Sequence, residues 1–278
     1  MHQALKTTGS VRQDARRVAR SNWIGHLGRF GLGAQALCFA IIAVLALALA
    51  LGLGGRAADP QGAFAELARH GWTEILLVLL AVGFASYAAW RFAQSLFDRG
   101  GQGSDVSGLG RRTIQLFQGV AYTALTVGAI RVFLGERANS EKAVRQTAAG
   151  ILSWPGGTIL VGLIGGVFVI VALVNVYWGL SGRFKESLDE QKLGSPAEQL
   201  LSVLGRVGFV SLAIVYGIIA WFLIKAAIDF DAGVVVGLGG ALATLAQATY
   251  GKWLLGLTAT GLLVYALFGF AQIRYHRV

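Results

Sequence analysis

A single cysteine, Cys38, occurs among the 278 residues. No intrachain disulfide can therefore form, and no thiolate metal site can be assembled. Cys38 lies inside an apolar run, where it suits a small side chain facing a neighbouring helix. The four histidines, His2, His26, His70 and His276, are scattered and never take a metal-ligand spacing. There is no phosphate-binding loop, no Gly-x-Ser-x-Gly and no paired carboxylate deep in an apolar run. The "GLGG" at 237–240 follows no strand, so it is not a nucleotide motif. These absences lead to an expectation of no metal, no cofactor, no catalytic residues and no enzymatic activity. Proline is limited to three residues, and charged residues make up 14% of the chain against 55% hydrophobic. A soluble domain of this size needs more charge than that on its surface.

What the chain has instead is length of apolar sequence. Runs such as "LCFAIIAVLALALALGLG" (37–54) and "ILVGLIGGVFVIVALVNVYWGL" (159–180) carry no charge. About 20 apolar residues in a helix cross a bilayer. Six spans are expected, at 32–53, 74–97, 114–134, 158–180, 207–228 and 252–273. The first is too long for a signal-peptide core and is read as a retained helix. The net charge of +10 follows from topology. Segments 1–31, 98–113, 181–206 and 274–278 hold 15 Lys or Arg, and the segments between the other span ends hold five. The positive-inside rule then places both termini in the cytoplasm, and no nucleic-acid partner is needed to explain the charge.

The triplet Leu-Gly-Arg occurs three times, with Gly28 and Arg29, Gly110 and Arg111, and Gly205 and Arg206, each ahead of an apolar run. Alignment on those glycines brings Gly83, Gly166 and Gly261 into register at intervals of 55, 56 and 56 residues. Two glycines held at a near-constant interval through three copies mark an internal repeat. "GAFAELA" (62–68) matches "GALATLA" (240–246), and Trp72, Trp154 and Trp253 stand near the start of each second helix as interfacial anchors. The middle copy reads "LGRRT" where the others read "LGRFG" and "LGRVG", so it is the divergent one.

The domain plan is a basic juxtamembrane segment (1–25) followed by repeats at 26–98, 108–183 and 203–278. Two spans per repeat give all three copies the same orientation, related by an axis along the membrane normal. The expected fold is all-α: an integral membrane protein of six transmembrane helices in three parallel two-helix repeats, closed with pseudo-threefold symmetry. The segments between the helices of a repeat are apolar enough to form short interfacial helices on the outer side.

This triplication, with Gly-Arg before each first helix and a glycine midway along each second, resembles the bacterial family catalogued as domain of unknown function 1206. The resemblance covers the chain from about residue 26 onward. It implies a six-helix membrane protein of unassigned activity and supplies no catalytic residues. An Arg-rich, Lys-poor composition fits a GC-rich bacterial genome, and the expected location is the bacterial plasma (inner) membrane.

Few polar residues lie at span depth. Arg91 follows Gly83 by eight residues and Asn175 follows Gly166 by nine; such residues face protein or water rather than lipid. Asp98 stands close enough in sequence to pair with Arg91. Arg131 and Lys225 are near-equivalent and lie toward the outer ends of their spans. They either snorkel to headgroups or line an asymmetric cationic pathway. Gly83, Gly162, Gly166 and Gly261 are expected to pack helices, with Gly162 and Gly166 forming a GxxxG. The Leu-Gly-Arg glycines are expected to let the chain turn into each repeat or pack against a neighbour. The Arg cluster of 11–23 suits anionic lipid at the membrane surface.

Two functions fit. One is a scaffold, accessory or lipid- or partner-binding membrane subunit, with a membrane-protein partner. The alternative is a small-solute or ion transporter or channel with its pathway on the pseudo-threefold axis. A hydrated polar axis favours transport; a plug of Leu, Val and Phe favours the scaffold.

Overall fold

The computed structural model describes residues 22–53, 60–68, 74–97, 105–136, 140–184 and 195–275. Among them are nine α-helices and no strand, in a long-short-long order used three times. The first repeat contains α1 (Asn22–Ala50), α2 (Pro60–Ala68) and α3 (Glu74–Phe97). The second contains α4 (Val106–Phe133), α5 (Ser140–Leu152) and α6 (Gly157–Ser181). The third contains α7 (Ser195–Asp229), α8 (Leu238–Gln247) and α9 (Gly251–Tyr275). All six long helices are long and apolar enough to cross a membrane.

The helix boundaries follow from local chemistry. Pro60 opens α2 and Pro196 sits in the first turn of α7, where a missing N–H costs no helical hydrogen bond. Asp105 caps α4 by accepting from the Gly108 N–H. Gly182 ends α6 with φ +73°, a left-handed turn open to glycine at no steric cost.

The Leu-Gly-Arg triplets require a correction. Gly28, Gly110 and Gly205 lie inside α1, α4 and α7, which begin several residues earlier, so the chain does not turn there. Gly28 instead lets Trp90 of α3 lie against the α1 backbone, and Gly205 does the same for Phe184: an added Cβ would stand 2.9 Å from the nearest ring atom of Trp90 and closer still to that of Phe184. Gly110 faces open space.

Helix packing follows the repeats with one exception. The most extensive contacts join consecutive repeats, α3 to α4, α6 to α7 and α9 to α1, as a threefold arrangement requires. Within repeats, α1 packs on α3 and α7 on α9, but α4 and α6 form no extended contact. Five seams are packed and the sixth is open, so the ring is not closed.

Side-chain volume explains the open seam. In repeat one, Gly28, Gly31 and Ala34 of α1 meet Trp90, Tyr87 and Gly83 of α3 in antiparallel register. In repeat three, Gly208 and Ser211 of α7 meet Tyr265 and Gly261 of α9 in the same register. Small residues here let the backbones approach, and a Cβ on Gly208 would come within 2.7 Å of the Tyr265 Cα. At the corresponding places the middle repeat has Thr113, Leu116 and Ile170, all exposed. Leu116 is too large for the position that Ala34 and Ser211 fill, and Gly166 consequently has no side chain or foreign backbone within 4 Å of where its Cβ would be.

The short helices do more than lie at an interface. Phe64 of α2 and Leu242 of α8, equivalent in the two matching heptapeptides, are fully buried. They join a core that also takes Leu77, Leu80, Phe84, Leu255 and Leu262 from the long helices. The end of the bundle that carries the short helices is thereby capped.

Candidate functional site

The buried core at the end with the short helices is mainly apolar, with Thr258 as a buried hydroxyl. Phe64, Leu77, Leu80, Leu242, Leu255 and Leu262 are each buried to less than 2% exposure, and they come from α2, α3, α8 and α9. Toward the end that carries the termini, the filling changes to aromatic residues with hydroxyls. Tyr87 (α3) and Tyr122 (α4) meet edge to face with ring centroids 4.4 Å apart. Tyr265 (α9) packs edge-on against Phe39 of α1 at 5.3 Å. Tyr216 (α7) lies 6.0 Å from Phe168 of α6. Tyr122 is within electrostatic reach of Tyr87, Tyr216 and Tyr265, and of Arg91. One aromatic layer thus draws on all six long helices.

Arg91 sits beneath this layer. Its guanidinium lies over the rings of Trp90 (4.5 Å) and Tyr87 (4.8 Å), a geometry that places a cation on the negative face of each ring. It donates to Gln94 Oε1 at 3.0 Å and to the Tyr87 hydroxyl. Its Nε is buried and has no partner, and no carboxylate contacts the side chain among the described residues. Asp98 lies outside the described residues. Two more buried polar atoms have no partner, the Nε of Arg29 on α1 and the Oε1 of Gln115 on α4. A buried polar atom without a hydrogen bond costs about 1–3 kcal/mol, so three of them at one end of a bundle are a chemical feature.

The other candidates lie apart from this cluster. Asn175 is buried and donates to the Val171 carbonyl of its own helix at 2.8 Å. Lys225 is exposed. Arg131 is exposed and 3.9 Å from Glu136. Both cations take the peripheral position of a snorkelling side chain rather than the axis. Arg111 and Arg206 are exposed.

Of the packing glycines, Gly83 and Gly261 hold the two closed intra-repeat seams, whereas Gly162 makes one ordinary contact with Ala227. The GxxxG expectation for Gly166 is corrected: Gly165, the next residue back, carries the close approach, with Ile224 of α7 2.8 Å from an added Cβ. Helical phase is the reason, since one residue turns the contact about 100° round α6. Trp154 and Trp253 are highly exposed, at 64% and 82%; Trp72 and the Arg cluster of 11–21 lie outside the described residues.

Two features went unseen in the sequence. The tyrosine layer had a signal: "GFASY" (83–87) and "GLLVY" (261–265) place a tyrosine four residues after the repeat glycine, and the middle copy "GVFVI" (166–170) does not. The second feature is a clamp at the capped end. Glu141 of α5 accepts from the Gly240 N–H at 2.8 Å and the Gly237 N–H at 3.3 Å, setting a carboxylate at the N-terminus of α8. Arg145 donates to the Val235 carbonyl at 3.2 Å. No signal would have found this clamp, because its partners are 96 and 99 residues apart in the chain.

Comparison with known proteins agrees with the repeat architecture. The family model Domain of Unknown Function (DUF1206) matches residues 30–98, 115–182 and 207–276. An uncharacterized protein of Bacillus subtilis (strain 168), YxxB, is 32% identical over 256 residues that span 92% of each chain. No solved structure matches the chain. Three matches in tandem, each covering one long-short-long unit, make this chain a multi-pass membrane protein of the DUF1206 family.

Proposed function

We propose that this protein is a non-conducting membrane subunit, a scaffold or accessory protein that binds lipid or a membrane-protein partner, and that it catalyses no reaction. The observation carrying this reading is the largely apolar core at the end with the short helices, where Phe64, Leu242, Leu77, Leu80, Leu255 and Leu262 are fully buried and the buried Thr258 on the same face of α9 adds one hydroxyl. Ions and small polar solutes need replacement of their hydration shell along a path, and the six apolar side chains offer no donor or acceptor. The excess of Lys and Arg in segments at the end with the termini supports placing that end in the cytoplasm of a bacterial cell.

The experiment is flux from sealed proteoliposomes containing the full chain, using small anions, cations and protons. The expected result is leakage equal to that of protein-free vesicles. Flux through the wild-type protein that falls on Arg91→Gln substitution would overturn the proposal. It would instead favour the transporter or channel, whose supporting observation is Arg91 itself, a cation at span depth with no carboxylate against it among the described residues.

A further inference from the structure

Arg91 points into the middle of the bundle. Trp90 lies against Gly28 of α1 and Phe92 against Gly119 of α4, and at about 100° per residue Arg91 stands midway between them. The opposite face of α3, with Val82 and Leu96, is exposed. The guanidinium is within electrostatic reach of Tyr122 on α4 and of Tyr265 on α9. Those two tyrosines are within reach of each other, of Tyr87 and of Tyr216 on α7. One cation and four phenols, from α3, α4, α7 and α9, therefore converge on the axis.

The place where they meet is not filled. Tyr122, Tyr216 and Tyr265 keep part of their surface open although each faces side chains on other helices of the ring. That open surface borders an internal chamber. The three hydroxyls have no hydrogen-bond partner among the described residues, and none of them is a fully buried polar atom. Arg91 gives one N–H from each terminal nitrogen to Gln94 and Tyr87, which leaves a second N–H on each. The chamber thus presents a guanidinium edge and three O–H groups, with no carboxylate against the cation among the described residues.

In a low-dielectric interior, a cation with only neutral partners gains most from one opposite charge. The planar guanidinium edge matches a carboxylate, and phenol O–H groups can donate to its remaining lone pairs. The neighbouring walls are apolar: Leu125 of α4, Ile164 and Phe168 of α6 and Leu263 of α9 are only partly buried. Between α4 and α6 the ring is open to the hydrocarbon. A small hydrophilic anion has no use for such walls, whereas an alkyl chain does.

We propose that this chamber binds one long-chain carboxylate, its head on Arg91 and the hydroxyls of Tyr122 and Tyr265, its chain on the apolar walls toward the α4–α6 opening. This deepens the reading of the protein as a lipid-binding subunit and rests on it.

The test is scintillation-proximity binding of tritiated dodecanoate to the full-length protein in neutral-detergent micelles. Unlabelled dodecanoate, dodecanol and propanoate serve as competitors. The wild type is expected to bind one dodecanoate per chain. Dodecanol, which keeps the chain and lacks the charge, competes about tenfold less well, the size of one charge-assisted hydrogen-bonding group. Propanoate, which keeps the charge and lacks the chain, competes more weakly still. Arg91→Gln weakens binding about tenfold and Arg91→Lys less. Tyr122→Phe and Tyr265→Phe, which remove only a hydroxyl, each weaken it about threefold. Arg131→Gln, which changes a peripheral cation, leaves it unchanged. The proposal is overturned by dodecanol competing as well as dodecanoate, by propanoate doing so, by wild-type affinity in Arg91→Gln, or by an equal loss in Arg131→Gln. If Arg91→Gln fails to fold, the two Tyr→Phe variants decide the matter. Flux by the wild type would defeat the non-conducting reading and leave dodecanoate binding standing, so the two failures are distinct.

Discussion

Replacing Gly83, Gly166 and Gly261 by alanine, one at a time, asks the same change of three positions that the sequence makes equivalent. Every replacement gains about 1 kcal/mol from the better helix propensity of alanine. At Gly166 nothing opposes this gain, because no atom lies within 4 Å of the new Cβ. At Gly83 the new Cβ would collide with the Ala34 Cβ, an atom that no rotamer change can move. Methyl carbons prefer roughly 3.5–4.0 Å, so α1 and α3 must separate. Separation also loosens Gly31 from Tyr87 and Gly28 from Trp90 along the same seam. Overpacking of this kind costs about 1–3 kcal/mol, and the absence of side-chain relief puts Gly83→Ala toward the top of that range. The net expectation is a loss of about 2 kcal/mol at Gly83 and a small gain at Gly166. At Gly261 the Ser211 hydroxyl can rotate away, but its Cβ would still be 2.6 Å distant, so a loss is expected there too. Unfolding in mixed micelles with increasing denaturing detergent, followed by far-UV circular dichroism, measures all three. The double change Gly83→Ala with Ala34→Gly should restore most of the lost stability, and the cycle gives the pair energy directly. The reasoning fails if Gly166→Ala is as damaging as Gly83→Ala, or if the exchanged pair recovers nothing.

Other consequences can be measured in the same micelles. Phe64→Ala should cost about 3–5 kcal/mol and Leu242→Ala about 2–5 kcal/mol, because both are fully buried; the exposed Gln146 of α5 should tolerate alanine within about 0.5 kcal/mol. Glu141→Ala removes the acceptor for two N–H groups at the start of α8 and should cost about 1 kcal/mol. That loss should be seen as faster amide exchange at Gly237 and Gly240 while the long helices stay protected. Cys38, at 4% exposure, should resist maleimide in the folded protein and react with one equivalent after denaturation; rapid labelling of the native protein would contradict the packing of α1.

Much of the fold was legible because its signals run along one chain. Apolar length set the six spans, and the glycine interval exposed the repeat despite short individual motifs. The Leu-Gly-Arg glycines left two readings open, a turn into the helix or packing against a neighbour, and two of them are recesses inside longer helices that receive Trp90 and Phe184. Sequence marks where glycine stands but not what comes to meet it. The GxxxG of Gly162 and Gly166 failed for a related reason: a short motif does not say which face of α6 turns toward a partner. Of the site, Arg91 was visible as a charge at span depth, whereas Arg29 looked topogenic.

The amino-acid sequence by itself determined that this chain crosses a membrane six times, in three copies of one unit with a common orientation. Hydrophobic length and the even number of spans per repeat require it, whatever the helices later touch. Only the tertiary structure decided that the ring stays open at one seam, that two of the short helices join the buried core at one end, and that three polar atoms among the described residues lack partners at the other. The physical reason is that lipid and protein interior are equally apolar, so a buried leucine and a lipid-facing one read alike. Whether α4 and α6 meet depends on the volume of Leu116 and Ile170 opposite residues far along the chain, and that sum is made only when the helices are in place.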